Sequence, residues 1–149
     1  MATSHPIKLR LQELKAQFDL LSVGKSSLLS MIDEAEIAES VYNSNAIENS
    51  TLTLKETEKI LLDMELSRNV SLREIFEAKN LARVIKYISS KSRKDALSKE
   101  LILLLHKMLI ENINEKIAGR FRSHGEYVRV GTHIAPAPQQ IEGMISSIL

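Results

Sequence analysis

The chain is organised around the hexapeptide Ser44-Asn45-Ala46-Ile47-Glu48-Asn49. Ser44 and Glu48 are four residues apart, so a helix places both side chains on one face. Asn49, which follows directly, suits the left-handed turn that ends many helices. Glu48 is therefore expected in the last helical turn, where the backbone carbonyl groups already carry partial negative charge. Because a carboxylate is disfavoured there, we expect Glu48 to need a cation, and the neighbouring sequence offers no obvious one.

The residues before the hexapeptide predict two helices. Apolar residues recur at helical spacing before Glu48, which predicts one amphipathic helix over residues 27–48. Upstream, the spacing within residues 1–25 predicts a leading helix that ends at a turn on Gly24. The acidic residues of the longer helix are expected to form a solvated face, and they are Asp33, Glu34, Glu36 and Glu39.

The residues after the hexapeptide predict three more helices. Thr53 and Ser71 are each followed three residues later by glutamate, the spacing of a capping box that begins a helix. These starts and the apolar spacing predict helices over residues 54–66, 72–89 and 99–113, with a polar connection at 91–95. The last of these helices is apolar on almost every side, so we expect it to be central in the packing. If it were left uncovered, it would favour a homo-oligomer.

The composition of the sequence changes at Gly119, after which glycine and proline become frequent. Residues 126–134 alternate as a strand, a turn and a strand would, which predicts a small β-hairpin. Its exposed edge could accept an extended peptide by strand addition. The expected fold class is therefore all-α, a bundle of about five to six helices with one hairpin near the C-terminus. The candidate docking residues of the hairpin are Tyr127, Val128, Arg129, Val130, Gly131, Thr132, His133 and Ile134.

Composition excludes several classes of function. The chain has 20 basic and 19 acidic residues. This balance argues against binding to nucleic acid or anionic lipid through net positive charge. There is no cysteine, and the four histidines lack the spacing of a metal site, so we expect neither a metal nor a thiol nucleophile. The apolar runs are too short to span a bilayer, and a cytoplasmic protein is expected.

Together, the motifs resemble one family. The hexapeptide, followed by Leu52-Thr53-Leu54 and Glu56, is similar to the inhibitory helix of Fic-domain proteins, whose pattern is S or T, three residues, E, then G or N. Later segments resemble, in the same order, that family's approach to its catalytic core. The resemblance covers roughly residues 27–149, and the later segments are Leu105-His106, Gly119-Arg120-Phe121-Arg122, Val128-Arg129-Val130-Gly131, Pro136-Ala137-Pro138 and Met144.

The resemblance implies a specific function. Fic proteins are helical enzymes that mostly transfer AMP from ATP, with Mg²⁺, onto a hydroxyl side chain of a target protein. Glu48 matches the inhibitory glutamate, which pairs with an arginine of the catalytic motif and blocks productive placement of the ATP γ-phosphate. Ser44 matches the position that stabilises the inhibitory helix, and Asn49 stands where many members have glycine. The hairpin at Tyr127–Ile134 matches the flap, which holds the target backbone as an added strand.

One departure from the family bears on catalysis. The signature H-P-F-x-D/E-G-N-G-R, which supplies the histidine base, the acidic residue for Mg²⁺ and the anion cradle, is not found in residues 1–149. His106 cannot replace that histidine, because the loop and glycines of the signature do not follow it. We therefore expect a truncated catalytic core, no catalytic residue in this chain, and no cofactor for it alone, with ATP and Mg²⁺ needed by the complete enzyme.

Two readings of the sequence follow. The first is the regulatory and target-docking portion of a Fic-type protein adenylyltransferase, autoinhibited through Glu48 and inactive alone, with a target protein that the sequence does not name. The second is a helical protein–protein interaction module without enzymatic activity.

Overall fold

Six helices and one two-stranded hairpin make up the described fold, which confirms the predicted class. The computed structural model describes residues 5–91 and 96–149, so most of the connection predicted at 91–95 lies outside the described residues. No helix in those two ranges has the length and apolar character needed to cross a bilayer. The elements are α1 (His5–Leu21), α2 (Ser26–Ile47), α3 (Leu54–Leu61), α4 (Leu72–Lys91), α5 (Lys99–Ile110), β1 (Arg129–Val130), β2 (His133–Ile134) and α6 (Pro138–Ser146).

The chain divides into two compact units, Met1–Ile37 and Ala38–Leu149, and the division falls inside α2. In the first unit, α1 ends in a turn that leads to the start of α2. Gly24 in this turn has φ +74°, a left-handed conformation that glycine adopts without steric cost. None of the side chains of residues 6–37 is fully buried. The helices of this unit therefore leave their apolar side chains open to solvent.

The core of the second unit is built from small and branched apolar side chains of α2, α3 and α4, together with Leu52 from the connection between α2 and α3. α4 contacts both α3 and α5, which makes it the central helix of the unit. Its alanines at positions 78 and 82 are buried and allow neighbouring helices to approach closely. The fully buried apolar residues are Ala38, Val41, Leu52, Ile60, Ala78, Ala82 and Val84.

The prediction that the fifth helix is central was wrong. α5 packs mainly on α4, and none of its side chains is fully buried. An apolar composition predicts that a helix will be covered, but it does not say which elements cover it. α4 is the central helix because its buried side chains include the small residues Ala78 and Ala82. Small side chains let both α3 and α5 pack closely against it.

Two helices end earlier than predicted. α3 ends at Leu61 and not at residue 66, because Asp63 adopts φ +54° and the Met64 amide donates to the Lys59 carbonyl at 2.8 Å. This backbone arrangement is the Schellman motif, which usually uses glycine at the left-handed position. Asp63 fills that position here, so the sequence carried no glycine signal for the end of α3.

α5 ends at Ile110 and not at residue 113, and polar contacts from α4 account for its end. The Asn80 Nδ2 donates to the Leu109 carbonyl at 3.0 Å and to the Glu111 carbonyl at 2.7 Å. The Arg83 guanidinium donates to the Met108 carbonyl at 2.9 Å. These α4 side chains satisfy the carbonyl groups that a helix end leaves without partners. The end of α5 is thereby fixed against the middle of α4.

The hairpin is shorter than the predicted span of residues 126–134. Its strands are two residues each, and Gly131 and Thr132 form the turn between them. Gly131 has φ +58° at the first turn position, as a type II′ hairpin turn requires. Tyr127 and Val128 precede β1, although the Ala135 amide still donates to the Val128 carbonyl at 3.0 Å. Regular pairing is therefore confined to Arg129–Val130 and His133–Ile134.

Candidate functional site

The end of α2 has the left-handed turn that the sequence predicted. Asn49 has φ +65°, and its amide donates to the Ala46 carbonyl at 3.1 Å. The Ser50 amide donates to the Asn45 carbonyl at 3.0 Å, which completes a Schellman motif. Glu48 follows the last helical residue, Ile47, so it caps α2 and does not lie within its last turn. The carboxylate thus extends from the carbonyl end of the helix dipole.

Glu74 at the start of α4 holds the chain that follows this turn. Its Oε1 accepts hydrogen bonds from the Thr51 amide at 2.7 Å and from the Thr51 hydroxyl at 2.8 Å. Its Oε2 accepts from the Ser71 hydroxyl at 2.8 Å. Hydrogen bonds from the Thr51 amide, then from the Thr51, Ser71 and Ser50 hydroxyls, lower the pKa of Glu74 to about 2. Glu74 therefore joins the end of α2 to the first turn of α4.

The two predicted capping boxes differ in detail. Thr53 and Glu56 form the complete reciprocal pair, with the Thr53 amide donating to Glu56 at 2.8 Å and the Glu56 amide donating to the Thr53 hydroxyl at 3.2 Å. In the second box the Glu74 amide donates to the Ser71 hydroxyl at 3.2 Å. The Glu74 carboxylate, however, receives the Thr51 amide from across the loop. This long-range contact replaces the local reciprocal bond.

Arg68 braces the same loop from the other side. Its Nε donates to Glu56 at 2.6 Å and its Nη2 donates to the Thr51 carbonyl at 2.9 Å. The Arg68 guanidinium, together with the Thr53 amide, lowers the pKa of Glu56 to about 2. Both polar groups of the Thr51 backbone are consequently held by charged side chains, and the path out of α2 is fixed.

A cavity of about 490 Å³, here called the α2 groove, lies between the end of α2 and helices α4 and α5. Ser44 and Glu48 both line it, as their spacing on one helical face predicted. Arg73 also lines it, but its guanidinium is engaged with Glu77 at 2.8 Å. The lining residues are Ser44, Asn45, Ile47, Glu48, Arg73, Glu77, Leu81, Leu109, Ile110 and Ile113.

Two polar side chains of the α2 groove, those of Glu48 and Asn45, have unused hydrogen-bonding groups among the described residues. Within residues 5–91 and 96–149, the Glu48 carboxylate forms neither a hydrogen bond nor an ion pair, so the expected cation stays a prediction. Asn45 is buried, and its Nδ2 has no hydrogen-bond partner in the described part of the chain. Sequence reasoning named Ser44, Glu48 and Asn49 but not Asn45, which no pattern marked. A carboxylate beside apolar walls can receive a guanidinium or ammonium group.

The base of the hairpin is braced by arginines. Arg120 forms a bidentate pair with Glu126, with two nitrogen–oxygen distances of 2.7 Å. This pair and the Ser123 amide lower the pKa of Glu126 to about 2. The Arg122 Nη2 donates to the Pro136 carbonyl at 2.8 Å. Arg120 and Arg122 are therefore used within the fold to hold residues 120–136.

The outer edge of β1 carries backbone groups that have no partner among the described residues. The Val128–Ala135 pair is hydrogen-bonded, and in an antiparallel ladder the next pair, Arg129–Ile134, points its amide and carbonyl groups away from the partner strand. The Arg129 guanidinium donates to the Gly131 carbonyl at 2.7 Å and does not cover this edge. Val130 and Ile134 are about two-thirds exposed. An extended chain could pair with the Arg129 backbone there.

No group of three or more metal-ligating side chains occurs in the part of the chain that the structure describes. His106 lines a second cavity of about 720 Å³, together with Arg120, Arg122 and Tyr127. This cavity lies beside the base of the hairpin, and α5 contributes Ile102 and Leu103 to its apolar lining. His106 is thus a boundary residue of α5.

Comparison with known proteins finds relatives that share one name, although it finds no matching family model. No family model matches the chain. The chain is 31% identical over 132 residues to the protein adenylyltransferase Fic of Drosophila persimilis, covering 87% of this chain and 26% of that protein. It is 29% identical over 109 residues to the protein of the same name from Nematostella vectensis, covering 72% of this chain and 25% of that protein. The chain thus spans about a quarter of the length of these curated relatives.

Among solved structures, the chain is similar to a Fic family protein from Desulfovibrio desulfuricans G20. The TM-score is 0.76 at 22% sequence identity, over 99% of this chain and 45% of that chain. This second comparison establishes the likeness of the folds.

Proposed function

The chain belongs to the Fic family, and on that premise we propose that it is the regulatory and target-docking portion of a Fic-type protein adenylyltransferase. The reaction joins a target hydroxyl oxygen to the α-phosphorus of ATP, releases pyrophosphate and transfers the hydroxyl proton to a base. The catalytic signature that would supply this base is not within residues 1–149, so this segment alone does not transfer AMP. Its own residues regulate the reaction and hold the target.

The observation that carries the regulatory role is the placement of Glu48 in the α2 groove. Ser44, Glu48 and the left-handed Asn49 follow the order of the inhibitory motif. Glu48 lines the groove directly before the Schellman turn, and its carboxylate has no partner within residues 5–91 and 96–149. Glu56, Arg68 and Glu74 hold the exit of the turn. In this proposal a guanidinium of the catalytic part enters the groove and pairs with Glu48, which keeps the ATP γ-phosphate out of its productive position.

The regulatory role is tested by removing the Glu48 charge in a polypeptide that includes both this segment and the catalytic signature. Glu48→Gln keeps the size of the side chain and is expected to raise AMP transfer at least about tenfold, because one charge-assisted pair is lost. Glu39→Gln is the matched control, an exposed carboxylate of the same helix that does not line the groove. Transfer is measured with ATP labelled at the α-phosphate, and nucleotide affinity is measured separately.

Two results would decide against the regulatory role. If Glu48→Gln binds ATP as wild type does and transfers AMP at the wild-type rate, Glu48 is not an inhibitor. If Glu39→Gln raises transfer equally, the effect comes from the net charge of α2. Failure of any variant to transfer AMP would favour the second reading, a helical interaction module.

The docking role rests on the free backbone groups of Arg129. Arg129→Pro removes the outward amide, whereas Arg129→Ala removes only the side chain and keeps that amide. We expect the proline variant to lose modification of the target much more than the alanine variant does, with ATP binding unchanged in both. Equal losses would assign recognition to the guanidinium, and the strand-addition proposal would fail.

A further inference from the structure

The α2 groove contains a buried amide that the described fold does not use. Asn45 is only 9% exposed, its Nδ2 has no hydrogen-bond partner in the described part of the chain, and no described residue donates to its Oδ1. An amide in this position has lost hydrogen bonds to water without gaining others, which makes it less favourable than an apolar side chain of the same size. Packing therefore does not account for an asparagine at position 45.

Asn45 and Glu48 face the same space. Both line the α2 groove. The Glu48 amide donates to the Asn45 carbonyl at 3.1 Å, so the two residues lie on one helical turn, and residues at this spacing have Cβ atoms about 5–6 Å apart. A group that enters the groove beside Glu48 therefore also lies within reach of the Asn45 side chain.

The two side chains offer acceptors to such a group. Nδ2 is the buried end of the Asn45 amide, so Oδ1 is the end that can meet an incoming group. Glu48 adds a carboxylate, which only accepts hydrogen bonds. Arg73, which also lines the groove, is engaged with Glu77 at 2.8 Å. An incoming group that satisfies both acceptors must carry a positive charge and donors that point in two directions.

A guanidinium group meets this requirement better than an ammonium group does. Its planar fork has five N–H donors, and it is weakly hydrated, so it can donate to two neighbouring residues and still lie against apolar side chains such as Leu81 and Leu109 of the groove. An ammonium group is compact and strongly hydrated, so a second acceptor adds less to its binding.

We propose that Asn45 is the second acceptor of a guanidinium clamp in the α2 groove and makes the groove select arginine over lysine. Glu48 supplies the charge, and Asn45 supplies the discrimination between the two cations. The inference rests on the proposed function, in which the arginine belongs to the catalytic part of the polypeptide. Asn45 is then a positioning residue of the inhibited state and takes no part in the transfer of AMP.

The clamp is tested by NMR titration of the chain with butylguanidinium and with butylammonium, which share an apolar tail and differ in the head group. Wild type is expected to bind butylguanidinium at least about fivefold more tightly, because one more charge-assisted hydrogen bond forms. The side-chain NH₂ resonances of Asn45 should shift more with butylguanidinium than with butylammonium. Glu48→Gln should weaken the binding of both probes.

Asn45→Leu keeps nearly the same side-chain volume and removes the amide. This variant is expected to bind the two probes equally, with its affinity for butylammonium unchanged. Asn43→Leu is the matched control, because Asn43 is an exposed asparagine of the same helix that does not line the groove, and it should keep the preference for butylguanidinium. In urea unfolding, Asn45→Leu should be at least as stable as wild type, because an unpaired amide has been removed.

AMP transfer gives a second readout in a polypeptide that also includes the catalytic signature. Asn45→Leu is expected to raise transfer about fivefold, and adding it to Glu48→Gln is expected to raise transfer no further, because both residues hold the same guanidinium. If Glu48→Gln raises transfer and Asn45→Leu does not, the clamp fails and the regulatory role of Glu48 stands. If Glu48→Gln has no effect, the regulatory role fails, and the probe titration alone decides on the clamp.

Three titration results would overturn the proposal. Equal affinity of wild type for the two probes would mean that the groove responds to charge alone. A preference for butylguanidinium that survives in Asn45→Leu would place the second acceptor on another residue, such as Ser44. Resonances of Asn45 and Glu48 that neither probe shifts would mean that the groove does not bind a cation.

Discussion

Removal of the Glu74 carboxylate should loosen the end of α2 as well as the start of α4. Glu74→Ala deletes the acceptor for the Thr51 amide, the Thr51 hydroxyl and the Ser71 hydroxyl. Hydrogen bonds to a charged acceptor contribute about 1.5–3 kcal/mol each when they are sheltered. Because this carboxylate is only half-buried and solvent screens it, we expect a total loss of about 2 kcal/mol.

Hydrogen exchange measures this loss of stability locally, at the Thr51 amide, and thermal unfolding measures it for the second unit as a whole. Exchange of the Thr51 amide should accelerate about 30-fold at pH 7, and the thermal midpoint of the second unit should fall by about 8 °C. Glu77→Ala is the control one turn along α4. Its solvent-exposed contact with Arg73 should contribute much less to stability than the contacts of Glu74 do.

The pH dependence gives the sharper test. Hydrogen bonds from Thr51 and from the Ser71 and Ser50 hydroxyls lower the folded-state pKa of Glu74 to about 2, below its ordinary value of 4.5. The stabilisation is therefore complete above pH 4.5 and is lost as pH falls towards 2. The stability difference between wild type and Glu74→Ala should shrink across that window. A difference that stays constant from pH 7 to pH 3, or a Thr51 amide with unchanged exchange, would refute the reasoning.

Three further predictions concern single backbone or buried contacts. Gly119→Ala should destabilise by about 2 kcal/mol more than Gly125→Ala in urea unfolding, since both residues have positive φ but only at Gly119 would a Cβ meet the Lys107 Cβ at 2.8 Å. Asn80→Ala should cost about 2 kcal/mol and speed exchange at the end of α5, because it removes the donor to two part-buried carbonyl groups. Asn49→Ala should cost about 1 kcal/mol in thermal unfolding whereas Asn49→Gly should not, because φ is +65°.

Local signals in the sequence predicted local features of the site. The glutamates three residues after Thr53 and Ser71 predicted two helix starts, and Asn49 predicted the left-handed end of α2. Each of these features depends on residues within one turn of each other. For that reason residue type and spacing were sufficient to predict them.

Features that depend on distant residues were not predictable in this way. The contacts of Arg68 with Thr51 and of Glu74 with Thr51 join residues that are far apart in the chain. The central place of α4 likewise depends on how three helices share one core. The early end of α3 escaped prediction for a different reason, since an aspartate, Asp63, adopts the conformation usually given to glycine.

The contact between Glu74 and Thr51 also limits how the end of α2 can move. Unwinding the last turn of α2 would displace Thr51, and that displacement would break the cap of α4 at the same time. Two helix ends would then have to open in one event, which is slower and rarer than the fraying of a single end. An event that frees the α2 groove is therefore expected to proceed by exchange of side-chain partners, with the backbone of α2 unchanged. Crystals of the inhibited and released forms should superpose at residues 44–53.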